Sequence, residues 1–123
     1  MDSLAAQLRD YQLPDPQSDD IKKAVQASIE LLGVAPEPVT WPLLAAVFRS
    51  VLAEWLPAEL SVFVVGPTGT FKTCLAALCT AHFGRGWTGS NTPASWSSTP
   101  NALERMAFTT KDHLLLIDDW EHN

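Results

Sequence analysis

Residues 64–73 of this 123-residue chain read VVGPTGTFKT, and they contain the residue types that bind a nucleoside triphosphate. Gly66, Lys72 and Thr73 occupy their places in the pattern G-x-x-x-x-G-K-[ST], but Phe71 stands where the pattern has its last glycine. In such a loop the lysine reaches β- and γ-phosphate oxygens, and the threonine hydroxyl binds Mg²⁺. The segment therefore predicts a loop that binds ATP and Mg²⁺.

Each position of this phosphate loop has an expected task. Backbone N–H groups are expected to wrap the β-phosphate at a helix N-terminus, where the helix dipole favours anions. Because Phe71 directly precedes the helical Lys72, we expect an ordinary right-handed backbone there, with the ring directed away from the phosphates. The predicted cofactor-binding residues are Gly66, Pro67, Thr68, Gly69, Thr70, Phe71, Lys72 and Thr73.

A second apolar segment ends in two carboxylates. Residues 113–117, HLLLI, predict a buried strand that is followed by Asp118 and Asp119. In nucleotide-binding parallel sheets a strand-end carboxylate meets Mg²⁺, and a second acid can orient the attacking water. Thr73 and Asp118 are therefore the predicted metal ligands, and Asp119 and Lys72 are the predicted catalytic residues.

The order of elements around the loop is strand, loop, helix. Residues 60–65, LSVFVV, are apolar without alternation, which is typical of a central parallel strand covered on both faces. Residues 72–83 favour a helix that stops at Gly84. This order predicts an α/β fold with a parallel sheet.

The segment between the loop and the second strand is rich in Gly, Ser and Thr. Residues 84–99 are expected to be mostly loop, with a short strand near residues 94–97. Thr99 and Pro100 predict the cap and the first turn of a helix. Two interpretations of this segment remain open. In the structural one, its residues only cap and pack the helix. In the functional one, the segment lies near the γ-phosphate or a subunit interface, and Asn101 makes a polar contact there.

The N-terminal half predicts two further regions. Residues 1–18 are expected to form an arm or linker, with a short helix broken by prolines, and residues 19–57 a helical segment that packs on the core in 58–123. An amphipathic helix capped by Asp19 or Asp20 is expected to end at Gly33. Its buried face is expected to contain Ile21, Ala24, Val25, Ile29 and Leu32.

A second helix of this region is expected to be capped by Thr40 and to have Pro42 in its first turn. It should end before Pro57. Its apolar stripe is expected to contain Leu44, Val47, Phe48, Val51, Leu52 and Trp55.

Composition excludes several classes of function. The net charge of -6 and the pI near 4.8 argue against a broad basic surface for nucleic acid. The sequence has no apolar run of membrane-spanning length and no signal peptide, so a cytoplasmic protein is expected. Cys74 and Cys79 lack a zinc-ligand spacing and are expected to be buried free thiols.

Three segments together, GPTGTFKT, FGRGWTGSNTPASWSSTPNALERMAF and HLLLIDD, resemble the ATPase domain of bacterial primase-helicase proteins carried on phages and integrative elements. These proteins are related to the superfamily 3 and AAA+ helicases. The resemblance covers residues 60–119, and its most specific part is Trp-Ser-Ser-Thr-x-Asn-x-Leu-Glu.

The resemblance implies an AAA+-like, incomplete parallel sheet in an ATP-driven motor that acts on DNA, usually as a ring of identical subunits. It implies that Lys72 and Thr73 bind phosphate and Mg²⁺ and that Asp118 binds the metal. Asp119 stands where many relatives have a glutamate base, and its side chain is one methylene shorter. DNA contacts are expected to come from parts outside these residues.

All four arginines precede Asp118, and the sequence stops four residues after Asp119. We therefore expect the N-terminal part of a longer protein, or a degenerate reading frame, that turns ATP over poorly by itself. The leading interpretation is the ATP-binding part of an ATP-dependent DNA helicase or primase-helicase. A non-catalytic nucleotide-binding or oligomerisation module and a P-loop phosphotransferase remain as alternatives.

Overall fold

The computed structural model describes residues 3–13, 15, 18–57 and 59–119, and within them the fold is a set of helices around a very small parallel sheet. Short 3₁₀ turns at Leu31–Gly33 and Ala81–Phe83 extend the second and fourth helices. This architecture is broadly α/β. The elements in chain order are α1 (Ser3–Leu8), α2 (Ser18–Glu30), α3 (Glu37–Val51), α4 (Lys72–Thr80), β1 (Ala94–Ser95), α5 (Pro100–Thr109) and β2 (Ile117–Asp118).

The sheet pairs β1 with β2 in parallel, with Ala94 opposite Ile117 and Ser95 opposite Asp118. The Trp96 N–H donates to the Asp118 carbonyl oxygen at 2.9 Å, one residue beyond β1. A strand near residues 94–97 and a strand ending at the two aspartates are both present, but each is shorter than the sequence predicts.

The expected central strand at residues 60–65 is wrong for this structure, because none of these residues belongs to a strand. Leu60, Phe63 and Val65 are 75%, 63% and 89% exposed, and only Val64 packs against the core. An apolar run becomes a buried strand only where neighbouring strands pair with its edges. In the described part of the chain, β1 and β2 pair with each other, and no strand pairs with residues 60–65.

The core lies between α3, α4 and the two 3₁₀ turns. Tyr11, Val64, Leu75 and Leu114 are partly buried and pack against it. The core thus supports both segments that carry the predicted site, α4 through Leu75 and the chain leading to β2 through Leu114. Its buried members are Leu31, Leu43, Leu44, Val47, Cys79 and Phe83.

Helix α3 starts earlier than the sequence predicts. It begins at Glu37 with a proline in its first turn, so Thr40 is not its cap. Thr40 is buried within the helix, where its hydroxyl donates to the Leu32 carbonyl oxygen at 3.2 Å. Proline 38 has the fixed φ that suits a first turn, which explains the earlier start. Only two of the six residues of the predicted apolar stripe are buried, since Leu44 and Val47 lie in the core but Phe48, Val51, Leu52 and Trp55 are exposed.

Helix α2 is present but does not pack as expected. It begins at Ser18, so Asp19 and Asp20 lie in its first turn, and its 3₁₀ extension ends at Gly33 as predicted. Most of the face that was expected to be buried is exposed, with Ile21, Val25 and Ile29 at 48%, 54% and 61%, whereas Leu32 is partly buried against the core. The helix contacts the core at its C-terminal end, because Leu31 is buried there.

The N-terminal arm is partly docked on the core. The Tyr11 hydroxyl donates to the Leu114 carbonyl oxygen at 2.8 Å, and the Gln12 N–H donates to the Phe83 carbonyl oxygen at 2.8 Å. The Tyr11 ring lies 4.7 Å from the Trp87 ring, centroid to centroid. The predicted short helix is α1, while Met1, Asp2, Pro14, Pro16 and Gln17 of the predicted arm lie outside the described residues.

Two local predictions are confirmed. Helix α4 and its 3₁₀ extension end at Gly84, and the Thr99 hydroxyl oxygen accepts the Ala102 N–H at 3.3 Å as the cap of α5. Both depend on neighbouring residues only. Among the described residues, no helix has the length and hydropathy needed to cross a bilayer.

The two cysteines differ. Cys79 is fully buried, as predicted, and burial raises the pKa of its thiol to about 11. Cys74 is exposed, so the expectation of burial is wrong for it. The two positions lie on different faces of α4, and only one face reaches the core.

Candidate nucleotide-binding site

The predicted phosphate loop forms an exposed turn that leads directly into α4. The Lys72 ammonium group donates to the Pro67 carbonyl oxygen at 2.7 Å and lies 3.4 Å from the Thr70 hydroxyl. Thr70 in turn donates to the same Pro67 oxygen at 2.7 Å. The lysine therefore folds back over its own loop, and its ammonium group is held by a loop carbonyl oxygen.

The first turn of α4 adds further donors. Its N-cap, Phe71, provides no side-chain hydrogen bond, so the first N–H groups of the helix have no capping side chain. Unpaired N–H groups at a helix N-terminus attract anions, and the helix dipole adds to the attraction. The backbone and Lys72 thus direct positive potential at the same loop.

The backbone of Phe71 is left-handed, with φ 57° and ψ 23°, which corrects the expected right-handed conformation. A side chain bearing a Cβ costs about 1–2 kcal/mol in this region, whereas glycine adopts it freely. The position therefore has the geometry of the glycine that the motif normally carries. The ring is 77% exposed, in agreement with a side chain directed outward. Gly69 also has a positive φ, 81°, so the loop requires a glycine there.

We predict that Phe71→Gly stabilises the fold relative to Phe71→Ala by about 1 kcal/mol, because only glycine removes the left-handed backbone cost. Alanine is the matched control, since both variants remove the exposed ring. Urea unfolding measures the difference, and MgATP titration should show equal or tighter binding by the glycine variant. A glycine variant that is less stable than the alanine variant would contradict the backbone account.

The structure brings the two predicted metal ligands together. The Thr73 hydroxyl donates to the Asp118 carboxylate Oδ1 at 3.3 Å, although the residues are 45 positions apart. Both side chains are partly buried. Thr73 lies in the first turn of α4 and Asp118 ends β2, so the contact joins the loop to the carboxyl end of the sheet. Ligands of parallel sheets bind at this end.

These two residues carry oxygen atoms, the ligand type that Mg²⁺ takes in proteins. No group of three or more His, Cys, Asp or Glu side chains able to hold a metal occurs in the described ranges. Mg²⁺ needs no such cage, because it is usually held by one or two protein oxygens together with substrate phosphates and water. A hydroxyl oxygen and a carboxylate at 3.3 Å match that requirement.

Asp119 lies at the surface, next in the chain to the predicted metal ligand Asp118. Its backbone has a positive φ, 57°, and its carboxylate Oδ2 accepts a hydrogen bond from the Ser95 hydroxyl at 3.4 Å. The Ser95 hydroxyl also lies 2.8 Å from the Ser97 hydroxyl. Ser95 therefore holds the predicted catalytic carboxylate, and Ser97 contacts Ser95 in turn.

Sequence reasoning missed Ser95. The signal for Ser95 was the expected parallel pairing of the strand near residues 94–97 with the strand that ends at the aspartates. A strand paired in this way must place one of its side chains next to the aspartates. Asn101, in contrast, is exposed in the first turn of α5.

No family model matches this chain, and no curated protein or solved structure is significantly similar to it.

Proposed function

We propose that this chain is a MgATP-binding P-loop module and forms the ATP-binding part of an ATP-dependent DNA helicase or primase-helicase of a phage or mobile element. The observation that carries the nucleotide-binding proposal is the Thr73–Asp118 hydrogen bond of 3.3 Å. The sequence predicted both residues as Mg²⁺ ligands from segments 45 positions apart, and their side chains are in contact.

The proposed division of labour assigns a role to each of these residues from the motif and the resemblance, and the contacts support it. Lys72 exchanges its Pro67 carbonyl partner for phosphate oxygens when ATP enters the loop. Thr73 and Asp118 hold the Mg²⁺ that also contacts the phosphates. Asp119 is proposed to orient the attacking water, with Ser95 positioning its carboxylate.

The helicase part of the proposal depends on the sequence resemblance. The Trp-Ser-Ser-Thr-x-Asn-x-Leu-Glu segment runs from the end of β1 into α5, beside the carboxyl end of the sheet. DNA and further copies of the chain are the proposed partners, and the proposed location is the cytoplasm.

A second function, nucleotide binding without catalysis, is favoured by one observation. The left-handed backbone of Phe71 has a conformational free-energy cost that a glycine would avoid, and the ring lies in solvent beside the site. A module that only senses or holds nucleotide tolerates such a loop better than one that must close tightly around a transition state.

Titration with MgATP tests the binding proposal. Lys72→Ala should weaken the affinity roughly tenfold or more, because a hydrogen bond to a charged group contributes about 1.5–3 kcal/mol. Lys111→Ala is the matched control, since Lys111 is an exposed lysine away from the loop and should leave the affinity unchanged. Equal affinity in the Lys72 variant and the parent would overturn the P-loop assignment.

The metal ligands can be tested in the same titration. Asp118→Asn should remove the difference between ATP affinity with Mg²⁺ and ATP affinity with a chelator, because the charged metal ligand is lost. An undiminished Mg²⁺ effect in this variant would show that the metal is bound elsewhere.

A further inference from the structure

We infer that the exposed face of α2 is an interface between two copies of this chain, paired antiparallel about Val25. This interface is separate from the nucleotide site and does not depend on the proposed function.

The first reason is that α2 is poorly supported by its own chain. A helix of 13 residues is marginally stable alone in water, and helices in proteins derive most of their stability from packing an apolar face. On α2 that face is exposed, with Ile21, Val25 and Ile29 each about half in solvent. The flank that carries Ser28 turns towards its own chain, where the Ser28 hydroxyl lies 2.9 Å from His82 Nε2.

The second reason is that the apolar row is symmetric. Ile21, Val25 and Ile29 follow one another at intervals of four residues, so they form a single ridge. A two-fold axis through Val25 places this residue against the partner's Val25 and places Ile21 against the partner's Ile29. A surface that complements itself in this way is what a two-fold homodimer requires.

The third reason is charge complementarity. Lys22 and Glu30 lie on the same side of the ridge, and together with Gln26 they line a shallow groove along it. At about 1.5 Å per residue, Lys22 lies about 4.5 Å before Val25 and Glu30 about 7.5 Å after it. In the reversed partner, the partner's Glu30 therefore lies within about 3 Å of the Lys22 level along the axis. Opposite charges meet at both ends of the pair.

The size of the interface sets its expected strength. One ridge of three side chains buries less than the roughly 1,200–2,000 Å² of a standard stable complex. We therefore expect a weak monomer–dimer equilibrium that sedimentation velocity detects across the micromolar range. Val25→Glu should abolish the dimer because it places two like charges on the axis, whereas Lys23→Glu, on the opposite face, should leave it unchanged.

A charge exchange identifies the occupant as a second copy. Lys22→Glu alone and Glu30→Lys alone should each weaken dimerisation roughly tenfold, because each leaves two like-charge contacts in the symmetric pair. The double variant Lys22→Glu/Glu30→Lys should restore it, and circular dichroism should show equal helicity in all variants. A chain that stays monomeric throughout would overturn the inference and assign the face to another segment or protein. The inference would also be overturned if the Val25→Glu variant still formed the dimer, or if the double variant did not restore dimerisation.

Discussion

Replacing Gly84 by alanine is expected to detach the N-terminal arm and to lower the free energy of unfolding by about 3 kcal/mol. A Cβ at Gly84 would overlap the Asp10 carbonyl group and would lie 3.1 Å from the Gln12 nitrogen. These are backbone atoms, so no rotamer change relieves the overlap. The arm must move away, and the hydrogen bonds from Tyr11 to Leu114 and from Gln12 to Phe83 are lost.

Thermal unfolding should show this loss as a Tm lower by roughly 10 °C for a chain of this size. Trypsin should cleave after the exposed Arg9 faster than in the parent protein, since the backbone that follows Arg9 is no longer held. Gly33→Ala is the control, because a Cβ there meets no atom within 4 Å. A Gly84 variant that melts and is cleaved like the Gly33 variant would show that the arm is not docked in solution.

The features that could be predicted from the sequence are those that a few neighbouring residues decide. Thr99 caps α5 because its hydroxyl reaches an N–H three residues away, and Gly84 ends the fourth helical segment for a similarly local reason. The Thr73–Asp118 contact was predictable for a different reason. A phosphate loop and a strand-end carboxylate are expected to meet at the carboxyl end of a parallel sheet, and they are in contact here although residues 60–65 form no strand.

The features that were not predictable depend on what lies across the fold. Residues 60–65 have the composition of a central strand, but composition does not supply the neighbouring strands that would bury them. The apolar face of α2 likewise predicts that the face is covered. It does not show whether the chain's own core covers it, and in the structure the core does not. The left-handed backbone of Phe71 had a signal in the motif, which has a glycine at this position, but the phenylalanine in the sequence favours a right-handed backbone.

The docked arm is the clearest example of a long-range effect. Tyr11 contacts Leu114 across 103 positions, and the sequence around it reads as a proline-broken linker. Burial of its phenol raises the pKa of Tyr11 above its usual value. Gly84 belongs to the same contact, so one glycine both ends a helical segment and admits the arm, and only the first of these roles has a local signal.

The isolated chain is expected to bind MgATP without sustained hydrolysis. A positioned arginine accelerates phosphoryl transfer by roughly 10³–10⁵ where one is used. Of the four arginines here, Arg9 lies 3.9 Å from the Asp10 carboxylate and Arg49 donates to the Pro57 carbonyl oxygen. The phosphate loop and Asp119 are also exposed, and a water-filled site weakens electrostatic stabilisation of the transition state. Phosphate release should therefore stay close to that of the Lys72→Ala variant.

Steady-state phosphate release, measured with and without single-stranded DNA, tests this expectation against Asp119→Asn. In the proposed module Asp119 touches only the attacking water, so its amide variant should keep MgATP binding while turnover stays at the same low level. Rapid release by the parent that Asp119→Asn abolishes would show that the described residues already contain a working ATPase. It would also show that the Asp119 carboxylate, which accepts a hydrogen bond from Ser95 at 3.4 Å, is required for this turnover. The arginine argument would then be wrong, while the nucleotide-binding assignment, which depends on Lys72, Thr73 and Asp118, would stand.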